Sequence, residues 1–196
     1  MSGINHELIL QHFPDLEWED FGNCLIVPPE KIVEVVTWLK RHPKFRLDYL
    51  SCVSGVDYIA SEVKTRVRND EGKMDVFITQ TPDKMEVVYH FYSMEKKIGP
   101  LVIKQRVMTR ENPTVTSLTP LYRGAELMER EVFDLYGIHF TDHPDLRRIL
   151  MWDEFEHYPM RKDYTPPNDY EYEPTPHDDV IERANERRKE LEGLLP

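Results

Sequence analysis

The chain has 196 residues, of which 40% are apolar and 31% charged, and its formal net charge is −11. This length holds one domain with a substantial core and an appendage, or two small domains, and the acidic balance argues against nucleic acid or anionic lipid as a direct partner. No apolar run approaches the ~20 residues of a membrane-spanning helix, and residues 1–20 resemble neither a secretory signal nor a transit peptide, so we expect a soluble, cytoplasmic-side protein.

The first forty residues predict a helix, a strand and a second helix. Asn5 is placed to cap a short helix that Pro14 ends, and residues 25–27 are typical of a short buried strand. The proline pair at 28–29 opens the second helix, because proline is tolerated in a first turn, and Pro43 ends it. The apolar side of this second helix is expected to comprise Ile32, Val33, Val35, Val36 and Leu39.

From residue 45 the pattern changes to that of strands. Residues 45–50 alternate, residues 85–92 are aromatic and β-branched, and residues 101–108 predict a third strand. Between the first two, residues 61–84 are charged and turn-rich, which predicts a long hairpin with a strand at 75–78. Successive strands without long helices between them indicate an α+β fold, with a mixed or antiparallel sheet packed with helices.

The last third of the chain divides into a helical part and an extended part. A helical region is predicted from Ser117 to Tyr136, with Gly137 where the residue after a helix belongs. Residues 158–176 contain five prolines and four tyrosines, a composition that forms no core of its own but can anchor on another surface. Beyond them, residues 179–194 predict a charged terminal helix.

We therefore predict two parts, an α+β domain over residues 1–150 and an extended strap with a terminal helix for partner docking over residues 151–196. Tyr164, Tyr170 and Tyr172 are the candidate anchors of the strap.

The stretch from Glu129 to Leu150 interleaves charged and large apolar residues, so its ion pairs must lie against a packed surface. At about 100° per residue, a helix here places six residues on one apolar stripe. These are Leu121, Ala125, Met128, Val132, Leu135 and Tyr136. Glu129 and Glu131 flank the stripe and are expected to be partly buried, whereas Arg130 and Asp134 lie opposite it and are spaced to pair.

Glu129 and Glu131 need partners, because an unpaired buried carboxylate is costly. The nearest cations in sequence are Arg147, Arg148, Arg161 and Lys162. Two interpretations stay open: an internal network that locks the following loop onto the domain, or a surface that faces a partner protein. Acid–base catalysis by the two glutamates is disfavoured, because side chains two apart on a helix diverge by about 200°.

Few catalytic or cofactor motifs are present. The eight glycines are never spaced for a dinucleotide or phosphate loop, and two cysteines cannot ligate a four-cysteine iron–sulfur cluster. Cys24 and Cys52 are most simply reduced core thiols, and nothing in the sequence favours a disulfide between them. One alternative of a different class is a stand-alone metal-dependent hydrolase. Its candidate ligands are His139, Asp142, His143, Asp145 and His157.

The spaced residues of the charged stretch resemble a known signature. The pattern Glu129-Arg130-Glu131, Asp134-Leu135-Tyr136, His143, Arg147 and Ile149-Leu150 is similar to that of the thirty-kilodalton subunit (C-type) family of respiratory NADH:quinone oxidoreductase, complex I. Further matches cover most of the chain, at 45–50, 55–58, 86–90, 113–125 and 153–164. Three features depart from the family: His157-Tyr158 where Gly-His is usual, Met160 in place of leucine, and a longer insertion at 63–81.

This resemblance implies a cofactor-free subunit of the peripheral arm of complex I. Its partners would be other members of the complex, chiefly the large, hydrogenase-like one (lettered D in the family's nomenclature) and the neighbouring quinone-site one (lettered B). FMN, the iron–sulfur clusters and quinone would lie on those partner chains. The protein would lie on the cytoplasmic side of a bacterial inner membrane, held there through its partners.

The resemblance predicts no catalytic, cofactor-binding or metal-binding residue on this chain, but an interface motif. The motif comprises Glu129, Arg130, Glu131, Asp134, His143, Arg147, Arg148, Arg161, Lys162, Asp163 and Tyr164. The alternative within the same superfamily is the equivalent subunit of a membrane-bound hydrogenase, or of a deazaflavin- or ferredoxin-linked dehydrogenase.

Overall fold

The computed structural model describes residues 5–20, 23–68 and 74–165, together with Arg183. Within these residues the chain forms three helices, α1 (His6–His12), α2 (Ile32–Arg41) and α3 (Ala125–Tyr136). The strands are β1 (Glu17–Glu19), β2 (Cys24–Val27), β3 (Tyr49–Tyr58), β4 (Ser61–Arg68), β5 (Met74–Thr81), β6 (Lys84–Ser93), β7 (Ile98–Val107), β8 (Thr114–Thr116) and β9 (His139–Thr141).

Five of these strands form the main sheet, in the order β1-β2-β7-β6-β3. The β2–β7 pair is parallel and the other pairs are antiparallel, so the sheet is mixed. Strands β4 and β5 form a separate antiparallel hairpin, and β8 and β9 form a short parallel pair. The predicted α+β fold with a mixed sheet is confirmed, and so is the hairpin.

Local signals set the bounds of the helices. The side chain of Asn5 accepts a hydrogen bond from the amide of Leu8 at 3.2 Å and caps α1 as predicted. In α2 the predicted apolar side is confirmed for all members except Val33, which is 38% exposed. Val33 is exposed because it lies about 100° around the helix from Ile32, beyond the edge of the buried stripe.

The predicted strand at 45–50 is mostly wrong, because β3 begins only at Tyr49. Phe45 and Leu47 are buried from a turn after α2, in which Arg46 has a positive φ of 47°. Two buried apolar residues flanking a turn residue therefore imitated the alternation of a strand. Gly55 lies inside β3, and a Cβ there would lie 2.6 Å from the Tyr136 ring.

The helical region also begins later than predicted, at Ala125 rather than near Ser117. Residues 117–124 form turns, and the Glu129 side chain accepts hydrogen bonds from residues 117, 118 and 119. Gly137 follows α3 with φ 71°, which confirms the predicted position after the helix. The three helices pack their apolar residues against the core-facing side of the sheet, including Val53, Val87 and Tyr89.

The chain divides into two compact units, Met1–Tyr164 and Thr165–Pro196. The first unit extends beyond the predicted boundary at residue 150, because residues 151–164 are hydrogen-bonded to α3 and β3. The predicted strap beyond residue 165 and the terminal helix at 179–194 lie outside the described residues, apart from Arg183. Within the described part of the chain, no helix combines the length and the apolarity needed to cross a bilayer.

Candidate protein-interaction surface

Asp134 is the central anchor of the post-helix segment (residues 143–164), although it carries no exposed surface. Its Oδ2 accepts hydrogen bonds from the successive amides of Ile149, Leu150 and Met151 at 3.0, 2.7 and 2.9 Å. Its Oδ1 accepts one from the Arg148 guanidinium at 2.6 Å. Burial alone would raise the pKa of Asp134, but these four donors hold it below its ordinary value. The charged carboxylate therefore fixes the post-helix segment onto α3 through these hydrogen bonds.

The side chain of Arg130 holds the same segment by binding main-chain carbonyls of that segment. Its guanidinium donates to the carbonyl oxygens of Arg147 and Arg148 at 3.1 and 3.0 Å and lies 3.8 Å from the Asp145 carboxylate. The predicted pairing of Arg130 with Asp134 is wrong. Both side chains are buried beneath the post-helix segment, whose amides and carbonyls supply their hydrogen-bond partners.

The two glutamates of the motif differ from each other, contrary to prediction. Glu129 is fully buried and accepts hydrogen bonds from Ser117 Oγ at 2.5 Å, the Leu118 amide at 2.8 Å and Thr119 Oγ1 at 3.2 Å. Burial raises its pKa in spite of these three donors. Glu131 is exposed, so the prediction that it is partly buried is wrong.

His143 ties the start of the segment to the first turn of α3. Its Nδ1 accepts a hydrogen bond from the Asp145 amide at 3.1 Å, so its Nε2 is the atom that donates to the Glu126 carbonyl at 3.0 Å. Both ring nitrogens are thus used within the fold. Arg147 donates to the Asp145 carboxylate but keeps 71% of its side chain exposed.

A second anchor holds the end of the segment and was missed by the sequence reasoning. Asp57 of β3 is 3% exposed and accepts two hydrogen bonds from Arg110, at 2.7 and 2.8 Å. The same carboxylate accepts from the Lys162 amide at 2.9 Å, while Arg110 also donates to Asp163 at 2.7 Å. Burial opposes ionisation of Asp57, but Arg110 and the amide keep its pKa below the ordinary value. An acidic residue at a core-facing position of an alternating strand is the signal that could have found it.

Arg161 closes the same region over the C-terminal end of α3. It donates to the carbonyls of Tyr136 at 2.7 Å and Arg110 at 3.1 Å, and its guanidinium carbon lies 4.7 Å from the centre of the Tyr158 ring. That ring covers Gly137, where a Cβ would lie 2.5 Å from it. Glycine at 137 thus serves both the left-handed backbone and the close approach of Tyr158.

Of the remaining predicted motif residues, Lys162 contributes its backbone amide rather than its side chain to the second anchor. The ring of Tyr164 lies 6.3 Å from that of Phe155 and 6.2 Å from that of His157. Most of the predicted charged residues are therefore brought together, chiefly around the main chain of the post-helix segment, with a direct ion pair between Asp134 and Arg148.

Several large hydrophobic side chains of α3 and the post-helix segment are exposed. Ten large hydrophobic residues of the described chain are substantially exposed, and five of them belong to α3 or the post-helix segment. These five are Leu127, Ile149, Leu150, Trp152 and Met160. Exposed apolar residues concentrated in one part of a chain are typical of a protein-interaction surface.

The candidate metal ligands are not brought together. Among the described residues no group of three or more histidine, cysteine or acidic side chains is arranged to hold a metal ion. His139 lies in β9, paired with Thr114 of β8, so it does not share a helix face with His143.

Comparison with known proteins identifies the family to which the chain belongs. Residues 25–170 match the family described as respiratory-chain NADH dehydrogenase, 30 Kd subunit. A relative in Rhizobium etli, named as the second C-type subunit (C 2) of NADH-quinone oxidoreductase, is 36% identical over 166 residues, which cover 82% of this chain and 76% of that protein. The protein of the same name from Rhizobium meliloti is 40% identical over 138 residues, covering 70% of this chain and 63% of that one, slightly under two thirds of its length.

Two solved structures share the fold. A trypsin-resistant fragment (1–134) of Nqo5 is 25% identical, with a TM-score of 0.50, over 73% of this chain and 100% of that one. A chain of the membrane-bound sulfane sulfur reductase, an archaeal respiratory membrane complex, has a TM-score of 0.52 at 21% identity, over 82% of this chain and 83% of that chain. This second likeness shows the fold alone.

Proposed function

Because the chain belongs to the respiratory-chain NADH dehydrogenase 30 kDa subunit family, we propose that it is a cofactor-free peripheral-arm subunit of a proton-translocating NADH:quinone oxidoreductase. In this role it supports electron transfer from NADH to quinone by assembling with the quinone-site subunits. The relatives named as C-type subunits of NADH-quinone oxidoreductase support this assignment over a related hydrogenase or dehydrogenase.

One observation carries the proposal of an assembly role. A single oxygen of buried Asp134 accepts three successive backbone amides of the post-helix segment. The buried polar groups of the signature are thereby used to fix main chain, while Leu150 and Trp152 remain exposed. Such an arrangement builds a docking surface, because preorganised main chain lowers the cost of ordering the interface on binding.

The large hydrogenase-like subunit and the neighbouring quinone-site subunit are the partners that we propose for this surface. FMN, the iron–sulfur clusters and quinone would be bound by partner chains, and no residue of this chain would take part in catalysis. The family resemblance supports this division, as does a sequence with only two cysteines. The protein would lie on the cytoplasmic face of a bacterial inner membrane, attached through its partners.

Residues 165–196 are proposed as a strap on the large hydrogenase-like subunit, as their proline and tyrosine content suggests. Deleting them is expected to lower the amount of that large subunit recovered together with the chain. Unchanged co-purification would show that the strap has no part in assembly.

The test of the whole proposal is to tag the chain in its host, solubilise membranes in mild detergent and identify what co-purifies. Flavin, iron–sulfur absorbance and NADH-dependent quinone reduction in the eluate are expected. A hydrogenase-type metal centre in the eluate would instead favour the related complex. Recovery of the chain alone from the cytosol would contradict both.

A further inference from the structure

The post-helix segment exposes the large apolar side chains of Leu150, Trp152 and Met160, and these three residues are here called the apolar ridge. These side chains are 60%, 53% and 53% exposed, whereas Phe155 between them in sequence is only 9% exposed. Within the described residues, therefore, the segment buries the Phe155 ring and packs Leu146 against the core, but leaves Leu150, Trp152 and Met160 exposed. Exposed apolar groups concentrated in one segment mark a candidate site for a protein partner.

The ridge is held in place before any partner binds. The ring of Trp152 packs edge-on against Phe155, with 4.8 Å between ring centres, and the Arg148 guanidinium lies 5.6 Å from the centre of the Phe155 ring. The amide of Leu150 is bound to Asp134 at 2.7 Å. A half-exposed tryptophan in a fixed position is the kind of residue that most often dominates binding energy at protein interfaces.

The border of the ridge is acidic. Asp153, Glu154 and Glu156 are all exposed, and none of them forms an ion pair within the described part of the chain. No lysine or arginine lies between residues 149 and 160. Three carboxylates beside an apolar ridge favour a partner of opposite charge and oppose insertion into an anionic lipid surface.

We propose that the ridge docks into an apolar groove of a partner protein whose rim carries lysine or arginine side chains, with Trp152 as the central anchor. The inference rests on the proposed assembly function and deepens it, because it specifies the residues that bind and the chemistry of the surface they meet. Burial of Trp152 supplies most of the affinity, and the three carboxylates set the orientation and the sensitivity to salt.

The first test compares tagged full-length chains recovered from solubilised membranes. Trp152→Ala is expected to lower the amount of co-purifying complex by about tenfold or more, the range for loss of a central aromatic anchor. Trp152→Phe keeps an aromatic ring and should retain most of the complex. The matched control is Met94→Ala, because Met94 is 65% exposed but lies between β6 and β7, outside the post-helix segment. Thermal unfolding of each purified variant shows whether the fold is intact.

The outcomes separate this inference from the proposed function. If Trp152→Ala folds and co-purifies as well as Met94→Ala, the docking inference is overturned while the assembly function stands. If the wild type instead co-purifies with a different membrane oxidoreductase and Trp152→Ala does not, the inference stands and the assignment to NADH:quinone oxidoreductase falls. Recovery of the wild-type chain alone overturns both.

A second test addresses the charge of the partner. Neutralising the border with Asp153→Asn, Glu154→Gln and Glu156→Gln is expected to lower recovery at low salt and to flatten its dependence on NaCl concentration. The control variant removes three exposed carboxylates elsewhere, with Glu7→Gln, Glu30→Gln and Glu34→Gln. Equal salt dependence of the two triple variants would contradict the inference that the partner groove has a basic rim.

A third test distinguishes a protein partner from a membrane. The full chain is mixed with vesicles of phosphatidylglycerol and phosphatidylethanolamine and separated by flotation. The chain is expected to remain unbound. Flotation of the wild type that is lost in Trp152→Ala would overturn the inference, because it would show that the ridge binds lipid.

Discussion

The two sides of α3 each bury a carboxylate, and the pKa values of the two carboxylates are shifted in opposite directions. On the outer side, Asp134 accepts hydrogen bonds from three amides and the Arg148 guanidinium of the post-helix segment, and its pKa is lowered. On the inner side, Glu129 accepts hydrogen bonds from two hydroxyls and one amide, and its pKa is raised. Burial is the largest influence on both, so the donors decide the difference.

This comparison shows how one helix performs two tasks. The outer carboxylate is stabilised in its charged form, because it accepts hydrogen bonds from a guanidinium and three convergent amides. The inner carboxylate organises the turns at residues 117–119, and its hydrogen-bond donors are uncharged, so they do not fully offset the effect of burial on its pKa. The outer carboxylate therefore fixes the post-helix segment onto α3, and the inner carboxylate holds the turns that precede the helix.

The largest effect is expected from removing the outer carboxylate. Asp134→Ala leaves the Arg148 guanidinium and three amides without their acceptor, so the free energy of unfolding should fall by about 3–5 kcal/mol. Urea denaturation measures this loss, with Asp153→Ala as the control on an exposed acidic residue, expected within about 0.5 kcal/mol of wild type. A loss for Asp134→Ala no greater than for the control would show that the segment does not depend on this anchor.

The next largest effect tests the packing of the segment over the end of α3. Gly137→Ala forces a side chain into a backbone of φ 71° and against the Tyr158 ring, which should lower the free energy of unfolding by about 1–2 kcal/mol from the backbone strain alone. Gly124→Ala is the matched control, because nothing lies within 4 Å of a Cβ at that position. Equal melting temperatures for the two variants would contradict the contact between Gly137 and Tyr158.

The pH dependence of stability tests the opposite pKa shifts directly. The raised pKa of Glu129 means that its contribution is fully present below the ordinary value of 4.5 and is lost as pH rises through the folded-state pKa. The lowered pKa of Asp134 means that its contribution is present above 3.8 and is lost as pH falls through the folded-state pKa.

Relative to Glu129→Gln, the wild type should therefore lose stability as pH rises above about 4.5. Relative to Asp134→Asn, it should gain stability as pH rises toward 3.8 and hold that gain above it. Unfolding free energies measured by denaturant titration between acidic and neutral pH report both slopes. Slopes of the same sign would refute the contrast between the two sides of the helix.

The smallest effect on stability is expected at the exposed charges of the motif. Glu131 is exposed and the Arg147 side chain is 71% exposed, so Glu131→Ala and Arg147→Ala should leave the melting temperature of the purified chain nearly unchanged. Each should still lower the amount of assembled complex more than the turnover per assembled complex. Normal assembly with lost turnover would indicate that the motif acts on the quinone site instead.

Sequence reasoning was most successful where neighbouring residues decide the structure. The Asn5 cap, the strands β6 and β7 and the residue Gly137 were predicted because each depends on local chemistry. The predicted strand at 45–50 failed because burial of Phe45 and Leu47 depends on a turn, which alternation alone does not reveal.

The pairing of charges could not be predicted to the same extent. Asp57 and Arg110 are 53 residues apart in sequence, and no local spacing connects them. The expected pair of Arg130 with Asp134 had suitable helical spacing, but the backbone of the post-helix segment supplied other partners. Backbone amides and carbonyls occur at almost every residue, so they carry no pattern from which such contacts could be read.

The sequence by itself determined the family, the α+β class and the fact that the charges between Glu129 and Leu150 must be satisfied. Those conclusions depend on residue type and spacing along the chain. Only the tertiary structure decided that Asp134 faces main chain, that Glu129 faces hydroxyls and that Trp152 is left exposed. The reason is physical: the protonation and exposure of a side chain depend on the groups that surround it in space, and these come from segments distant in sequence.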